Sequence, residues 1–261
     1  MGYDPLHGVM PVGQIVELLP YYGFIIFSLV TLNYCRFVEK RTIKSIGFSG
    51  NAIDYLAGAL LAIILLFIII SIGCILDSMM FVEFNTNVNI KNVNIKSLIL
   101  WILEFGVQGT TEEIMCRAFL LNSLQKRISK PMAIMISSTA FVLPHLFSLL
   151  EANFVYAIVG IINLYLISVV FSILVLWRSD IWIACGLNSV WNFILYVIMG
   201  LSLSGTKSIS KGVILFSVKD ANILNGAEYG IEASIIRTIV LGILLLAIVI
   251  SRKGRIGKNG I

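Results

Sequence analysis

The chain has 261 residues, 58% of them hydrophobic and 13% charged, with a mean hydropathy of +0.96. Soluble domains carry about 25% charged residues, so this composition excludes an ordinary soluble globule and points to a membrane protein. The net charge of +5 sits in short clusters between apolar runs, which excludes a nucleic-acid-binding face. Four cysteines (Cys35, Cys74, Cys116 and Cys185) lack CxxC spacing and offer neither a disulfide framework nor a zinc knuckle.

In chain order, the first eleven residues carry no Lys or Arg and so lack the basic front of a cleavable signal peptide. Seven apolar segments follow, each long enough to cross a bilayer, near 12–35, 53–76, 97–124, 131–150, 155–177, 181–200 and 231–251. The first is the least clean, because it contains Glu17 and Pro20. Basic residues gather in the connections 36–44 and 125–130, at Arg178 and in the tail 252–258, which together hold 12 of the 19 Lys and Arg residues. The positive-inside rule places those connections in the cytoplasm, with the N-terminus outside and the C-terminus inside. The opposite connections, 77–96 and 201–230, are rich in Asn, Ser and Gly and read as irregular external loops. The expected fold is all-α: one membrane-embedded domain, 1–261, forming a helix bundle of about seven spans, with no internal repeat.

The third segment contains Glu112, Glu113 and Arg117. An ionised side chain in hydrocarbon costs several kcal/mol, so such residues face a bundle interior or a wet cavity, and they commonly work there. On a helix Glu113 and Arg117 share a face and can pair, whereas Glu112 is rotated about 100° away and has no local partner. The plain alternative is a structural ion pair joining two helices. His145 lies in the fourth segment, and both it and Glu112 fall about 21 Å from the cytoplasmic ends of their helices, at 1.5 Å per residue. It could equally make a helix-to-helix hydrogen bond. Asn188 and Asn192, four apart in the sixth segment, share a face at a compatible depth; interhelical amide bonding is their alternative role. Glu232 and Arg237, near the start of the last segment, read as anchors of its outer end. Asp54, Glu17 and Glu104 have no assignable role.

Glu112-Glu113-x-x-x-Arg117, Phe141-x-x-x-His145 and the pair Asn188 and Asn192 resemble the CAAX prenyl endoprotease and bacteriocin-processing (CPBP, Abi) family of intramembrane proteases. That family carries EExxxR, FxxxH and HxxxN on successive membrane helices. The resemblance covers about 97–200, the protease-like core, and more loosely the Glu39-Lys-Arg41 loop and Gly230-Ile-Glu-Ala-Ser234. It implies an endopeptidase without a covalent intermediate. Glu112 would be the general base toward a water that His145 orients and polarises, and Glu113 with Arg117 would hold the helix. Asn192 would donate to the oxyanion of the tetrahedral intermediate.

The chain departs from the family at Asn188, where the pattern has His; the one other histidine, His7, lies near the N-terminus. Zinc favours His, Cys and carboxylate ligands, so Glu112, His145 and an amide make a poor zinc site. The expectation is therefore a glutamate-activated water with no cofactor, a metal-independent site being favoured over a zinc site, which stays as the alternative. The substrate would be a peptide or a membrane-anchored protein, reached from the cytoplasmic side. An Ile-, Asn- and Lys-rich chain without a soluble domain fits a multi-pass protein of a bacterial plasma membrane. The resemblance there implies peptide or bacteriocin maturation, immunity, or CAAX-type processing. The alternative, which Asn188 favours, is a non-catalytic immunity or scaffold protein on the same fold. A proton-coupled transporter would also use buried carboxylates, but it would more often show an internal repeat.

Overall fold

A computed structural model of the protein describes residues 12–48, 52–84, 95–208 and 212–258 and is mostly helical. His7 lies outside the described residues, as does the side chain of Glu17. Helical segments occupy all seven expected positions. Among the described residues, three are long and apolar enough to cross a membrane. They are α2 (Ala52–Ile75), α7 (Phe154–Arg178), and α5 (Lys130–Val142) continued through a 3-10 turn, Leu143–His145, into α6 (Leu146–Leu150). Shorter apolar stretches lie in α1 (Val12–Asn33), α8 (Trp182–Phe193) and α9 (Ile235–Lys258). The remaining segment is α3 (Ile95–Glu113), which runs through a π-helical turn, Ile114–Leu121, into the short α4 (Asn122–Leu124).

The burial pattern is that of a bilayer protein. Large apolar side chains such as Phe67 and Ile75 on α2 and Ile243 and Leu246 on α9 project outward, while Glu113, Arg117, Asn163, Asn188 and Arg237 are enclosed. Without a hydrophobic force between helices in lipid, close packing and internal polar contacts hold such a bundle together. Helix α8 is the centre of it, wedged against α2 and α3. Its backbone touches that of α2: a Cβ on Gly58 would lie 2.0 Å from the carbonyl oxygen of Ile183, and one on Gly186 would lie 2.0 Å from that of Tyr55. Gly109 on α3 meets α8 in the same way, with Ser189 Oγ 2.6 Å from the position a Cβ would take.

The connections expected to be irregular contain a small antiparallel ribbon, so the fold is not purely α. Strand β1 (Met79–Phe84) pairs with β2 (Ile214–Val218), Met79 opposite Val218 and Phe84 opposite Ile214, with an irregularity between Phe81 and Glu83. Both strands are rich in Phe, Val, Ile and Met, residue types that suit a pleated surface. Asn225 secures the ribbon by donating from Nδ2 to the carbonyl oxygens of Ser78, Lys219 and Asp220. The pairing brings 79–84 and 214–218 together, two segments from connections that the sequence assigns to one side.

The start of α9 is fixed by side chains. Ser234 Oγ accepts from the Arg237 N–H at 3.1 Å, a helix N-cap. Asn163 of α7 donates from Nδ2 to the carbonyl oxygens of Glu232 and Ser234, at 2.9 Å each, while its Oδ1 accepts from Thr238 Oγ1.

Candidate active site

Glu113 and Arg117 pair as their spacing predicts, Arg117 Nη1 donating to Glu113 Oε1 at 3.0 Å with both side chains fully enclosed. Burying two charges costs several kcal/mol each unless the remaining polar atoms are partnered. Arg117 answers part of that by donating from Nη2 to Ser168 Oγ at 2.6 Å and to the Ser168 carbonyl at 3.2 Å. Its guanidinium also lies 4.7 Å from the ring centre of Phe141 and 5.0 Å from that of Phe171. Arg117 thus joins the helix carrying the carboxylates to α5 and α7. The π turn begins directly after Glu113, and such turns recur at functional sites. Within it the Cys116 carbonyl accepts from Ser137 Oγ of α5 at 2.7 Å.

His145 does not sit in a continuous α-helix, as its segment suggested. Pro144, with no N–H, coincides with a tightening of α5 into the 3-10 turn that carries the imidazole. His145 Nδ1 lies 3.0 Å from the carbonyl oxygen of Phe141. A carbonyl only accepts, so Nδ1 carries the proton, and in the neutral ring Nε2 is left as an acceptor.

Asn188 and Asn192 come from the face of α8 that meets α3. Asn188 Nδ2 donates to Glu112 Oε2 at 2.9 Å and to Glu113 Oε1 at 3.2 Å. Two carboxylate acceptors fix the orientation of this amide, whose Oδ1 accepts from Asn192 Nδ2 at 3.4 Å. Glu112, without a partner on its own helix, therefore finds one on α8. Both amide hydrogens of Asn188 are engaged, whereas Asn192 uses a single one. Like α3, α8 passes into a π turn, Ile194–Ile198, just beyond its site residues.

Glu112, His145, Asn188 and Asn192 all line one cavity of about 510 Å³. Glu112 and His145 are half-buried in it, while Glu113 and Arg117 lie behind the wall. None of the lining residues comes from the basic connections expected in the cytoplasm. The cavity extends to Leu203, Ser204 and Thr206 in the connection 201–230.

A second polar cluster on the same cavity has no counterpart in the motifs. Glu232 and Arg237, expected to be outer anchors, are buried and paired, Arg237 Nη1 donating to Glu232 Oε1 at 3.1 Å. Trp191 Nε1 donates to the same oxygen at 3.1 Å, while Glu232 Oε2 accepts from the Ser204 N–H and from Ser204 Oγ. The Arg237 guanidinium lies 4.7 Å from the centre of the Trp191 ring. Nearby, burial and then the Glu232 carboxylate push the Tyr229 phenol up to about 12, so it remains a neutral hydroxyl at ordinary pH. One sequence signal for this cluster was available: two opposite charges at the mouth of an apolar segment.

The other acidic residues stand apart. Asp54 pairs with Arg178 at the far ends of α2 and α7, and Glu104 is buried away from the cavity lining. Among the described residues no group of three or more His, Cys, Asp or Glu side chains is arranged to hold a metal ion. Around Glu112 the donors are one further carboxylate, one imidazole and two amides, a poor set for zinc.

No curated protein gives a match to the chain. Residues 94–194 match the Rce1-like family, described as type II CAAX prenyl endopeptidase Rce1-like. The match takes in all three motifs from Glu112 to Asn192, and it makes this stretch similar to a family of membrane proteases, the one to which those motifs pointed.

Proposed function

We propose that the protein is an intramembrane endopeptidase that cuts a peptide or membrane-associated protein by a glutamate-activated water. The observation that carries this reading is the shared cavity: Glu112 opens onto it beside His145, with the Asn188 and Asn192 amides on the facing helix. Glu112 takes a proton from the water, and His145 Nε2 accepts its other hydrogen and orients it. The oxygen attacks the peptide carbonyl. The spare N–H of Asn192 stabilises the oxyanion, and Glu112 then returns the proton to the leaving amine. The surrounding apolar walls lower the local dielectric and strengthen each of these interactions. Asn188, by holding Glu112 Oε2, aims the other carboxylate oxygen. No metal or cofactor is assigned to the site.

We place the protein as a multi-pass component of a bacterial plasma membrane, with its N-terminus outside, working in peptide or bacteriocin maturation or in CAAX-type processing. A non-catalytic immunity or scaffold role is the second reading. It is favoured by the amide at position 188, which spends both hydrogens on carboxylates where the family pattern has an imidazole. Processing of a co-expressed candidate peptide by wild type and by Glu112→Gln, with and without a chelator, separates the two. Cleavage that survives the chelator and vanishes in the variant supports the protease; a peptide fate unchanged by Glu112→Gln rejects it.

A further inference from the structure

The cavity has two polar poles, and the proposed chemistry uses one. At the other, the Glu232 carboxylate is saturated: it accepts from Trp191 Nε1, Arg237 Nη1, the Ser204 N–H and Ser204 Oγ. It has no capacity left for a cationic ligand. Arg237 is the reverse case. Among the described residues its side-chain hydrogen bonds all run through Nη1, to Glu232 Oε1 and to the Glu232 carbonyl oxygen, and its Nε is buried with no acceptor. A guanidinium has five donor hydrogens in a rigid fork, and its best complement is a carboxylate taken in two parallel bonds.

Its placement is otherwise unfavourable. Arg237 stands in the first turn of α9, where the helix dipole disfavours a cation. It is 3% exposed in a largely apolar cavity. The Trp191 ring and Glu232 hold the guanidinium still, which removes the entropic cost of ordering it on binding.

We propose that Arg237, on the cavity lining, anchors a carboxylate of the substrate through its guanidinium while the bond to be cut lies against Glu112. This rests on the endopeptidase reading, under which the ligand is a peptide and its anionic groups are carboxylates. The source is either the free C-terminus or an acidic side chain. A cavity of about 510 Å³ has the size of a small-ligand site, so it suits a short peptide end.

The test uses the full chain in detergent carrying Glu112→Gln, so that peptides bind without being cut. The probes are an apolar hexapeptide, Ala-Leu-Val-Ile-Leu-Phe, carrying an uncharged dansyl group at its N-terminus, its C-terminal amide, and an amide in which Ile is replaced by Asp. The expected result is at least tenfold tighter binding of the free-acid peptide or of the Asp peptide than of the plain amide. Whichever acidic form is favoured names the source. Adding Arg237→Gln together with Glu232→Gln, which removes both charges at once, should shrink the preference to within twofold. A purely structural ion pair would weaken all three peptides equally and leave the preference standing, which overturns the proposal. Equal binding of the three, or none, in the starting protein overturns it without any further variant. If the double variant does not fold, Arg237→Lys serves instead: it keeps the charge but loses the fork, and an undiminished preference in it counts against the proposal. A wild type that never cleaves, beside an intact acid preference, would sink the endopeptidase reading and leave this anchor in place.

Discussion

The side-chain nitrogen of Asn188 lies 2.9 Å from Oε2 of Glu112, across the contact between α8 and α3. The same nitrogen donates to Glu113 Oε1 at 3.2 Å, so one neutral amide bridges two adjacent carboxylates in a low-dielectric setting. Removing it would leave like charges facing each other with a shared donor gone, at about 1.5–3 kcal/mol for hydrogen bonds to charged groups. We expect Asn188→Leu to lower kcat for peptide cleavage about 10- to 100-fold. Asn188→His, whose ring N–H can replace one of the two bonds, should retain more activity than the leucine variant. Initial rates on one peptide at matched protein levels decide the order, and equal rates for both variants would contradict it.

Glu112→Gln keeps the shape of the side chain and loses the base. General-base contributions are about 10²- to 10⁴-fold. Cleavage should therefore fall by at least about 100-fold, whereas chelation should leave the wild type unchanged. Single-turnover rates on the purified protein provide the measurement.

The Glu113–Arg117 pair makes a stability prediction. Breaking a buried pair from one side costs about 3–5 kcal/mol, because the remaining charge is stranded. Arg117→Met should lower the melting temperature in detergent sharply, and Glu113→Gln combined with Arg117→Met should recover part of the loss. A double variant no more stable than Arg117→Met alone would show that the loss comes from the Ser168 and aromatic contacts of Arg117 rather than from a stranded Glu113 charge.

Helix contact through glycine can be tested by a paired comparison. A Cβ on Gly186 would meet the Tyr55 carbonyl oxygen at 2.0 Å, whereas one on Gly106 or Gly242 meets nothing within 4 Å. Gly186→Ala should destabilise by at least about 1–3 kcal/mol through forced separation of α2 and α8. Gly106→Ala and Gly242→Ala should be neutral or stabilising by up to about 1 kcal/mol, the helix preference for alanine.

Orientation is open to labelling. Glu83, on the ribbon, and Lys126, in the basic connection after α4, are both exposed. With a membrane-impermeant maleimide on intact cells, Glu83→Cys should react and Lys126→Cys should react only after permeabilisation. The reverse pattern would invert the proposed topology and place the Ser204 end of the cavity in the cytoplasm.

The amino-acid sequence alone determined the helical segments and one pole of the cavity. Apolar runs of bilayer length are a local property, and charged or amide side chains within them stand out because hydrocarbon makes them costly. Glu112, Glu113, Arg117, His145, Asn188 and Asn192 were visible for that reason, and helical spacing sufficed to pair Glu113 with Arg117. What depends on contacts between distant segments was decided only by the tertiary structure. The ribbon needs two loops far apart in the chain, each masked by Asn, Ser and Gly neighbours. The second pole draws Trp191 from α8, Ser204 from a connection, and Glu232 and Arg237 from the start of α9. The bond from Asn188 to Glu112 follows from how α8 is rotated against α3, and the close approach at Gly109 and Ser189 sets that rotation. Helical periodicity fixes which residues share a face of one helix, but which faces of two helices meet is decided by how their backbones pack.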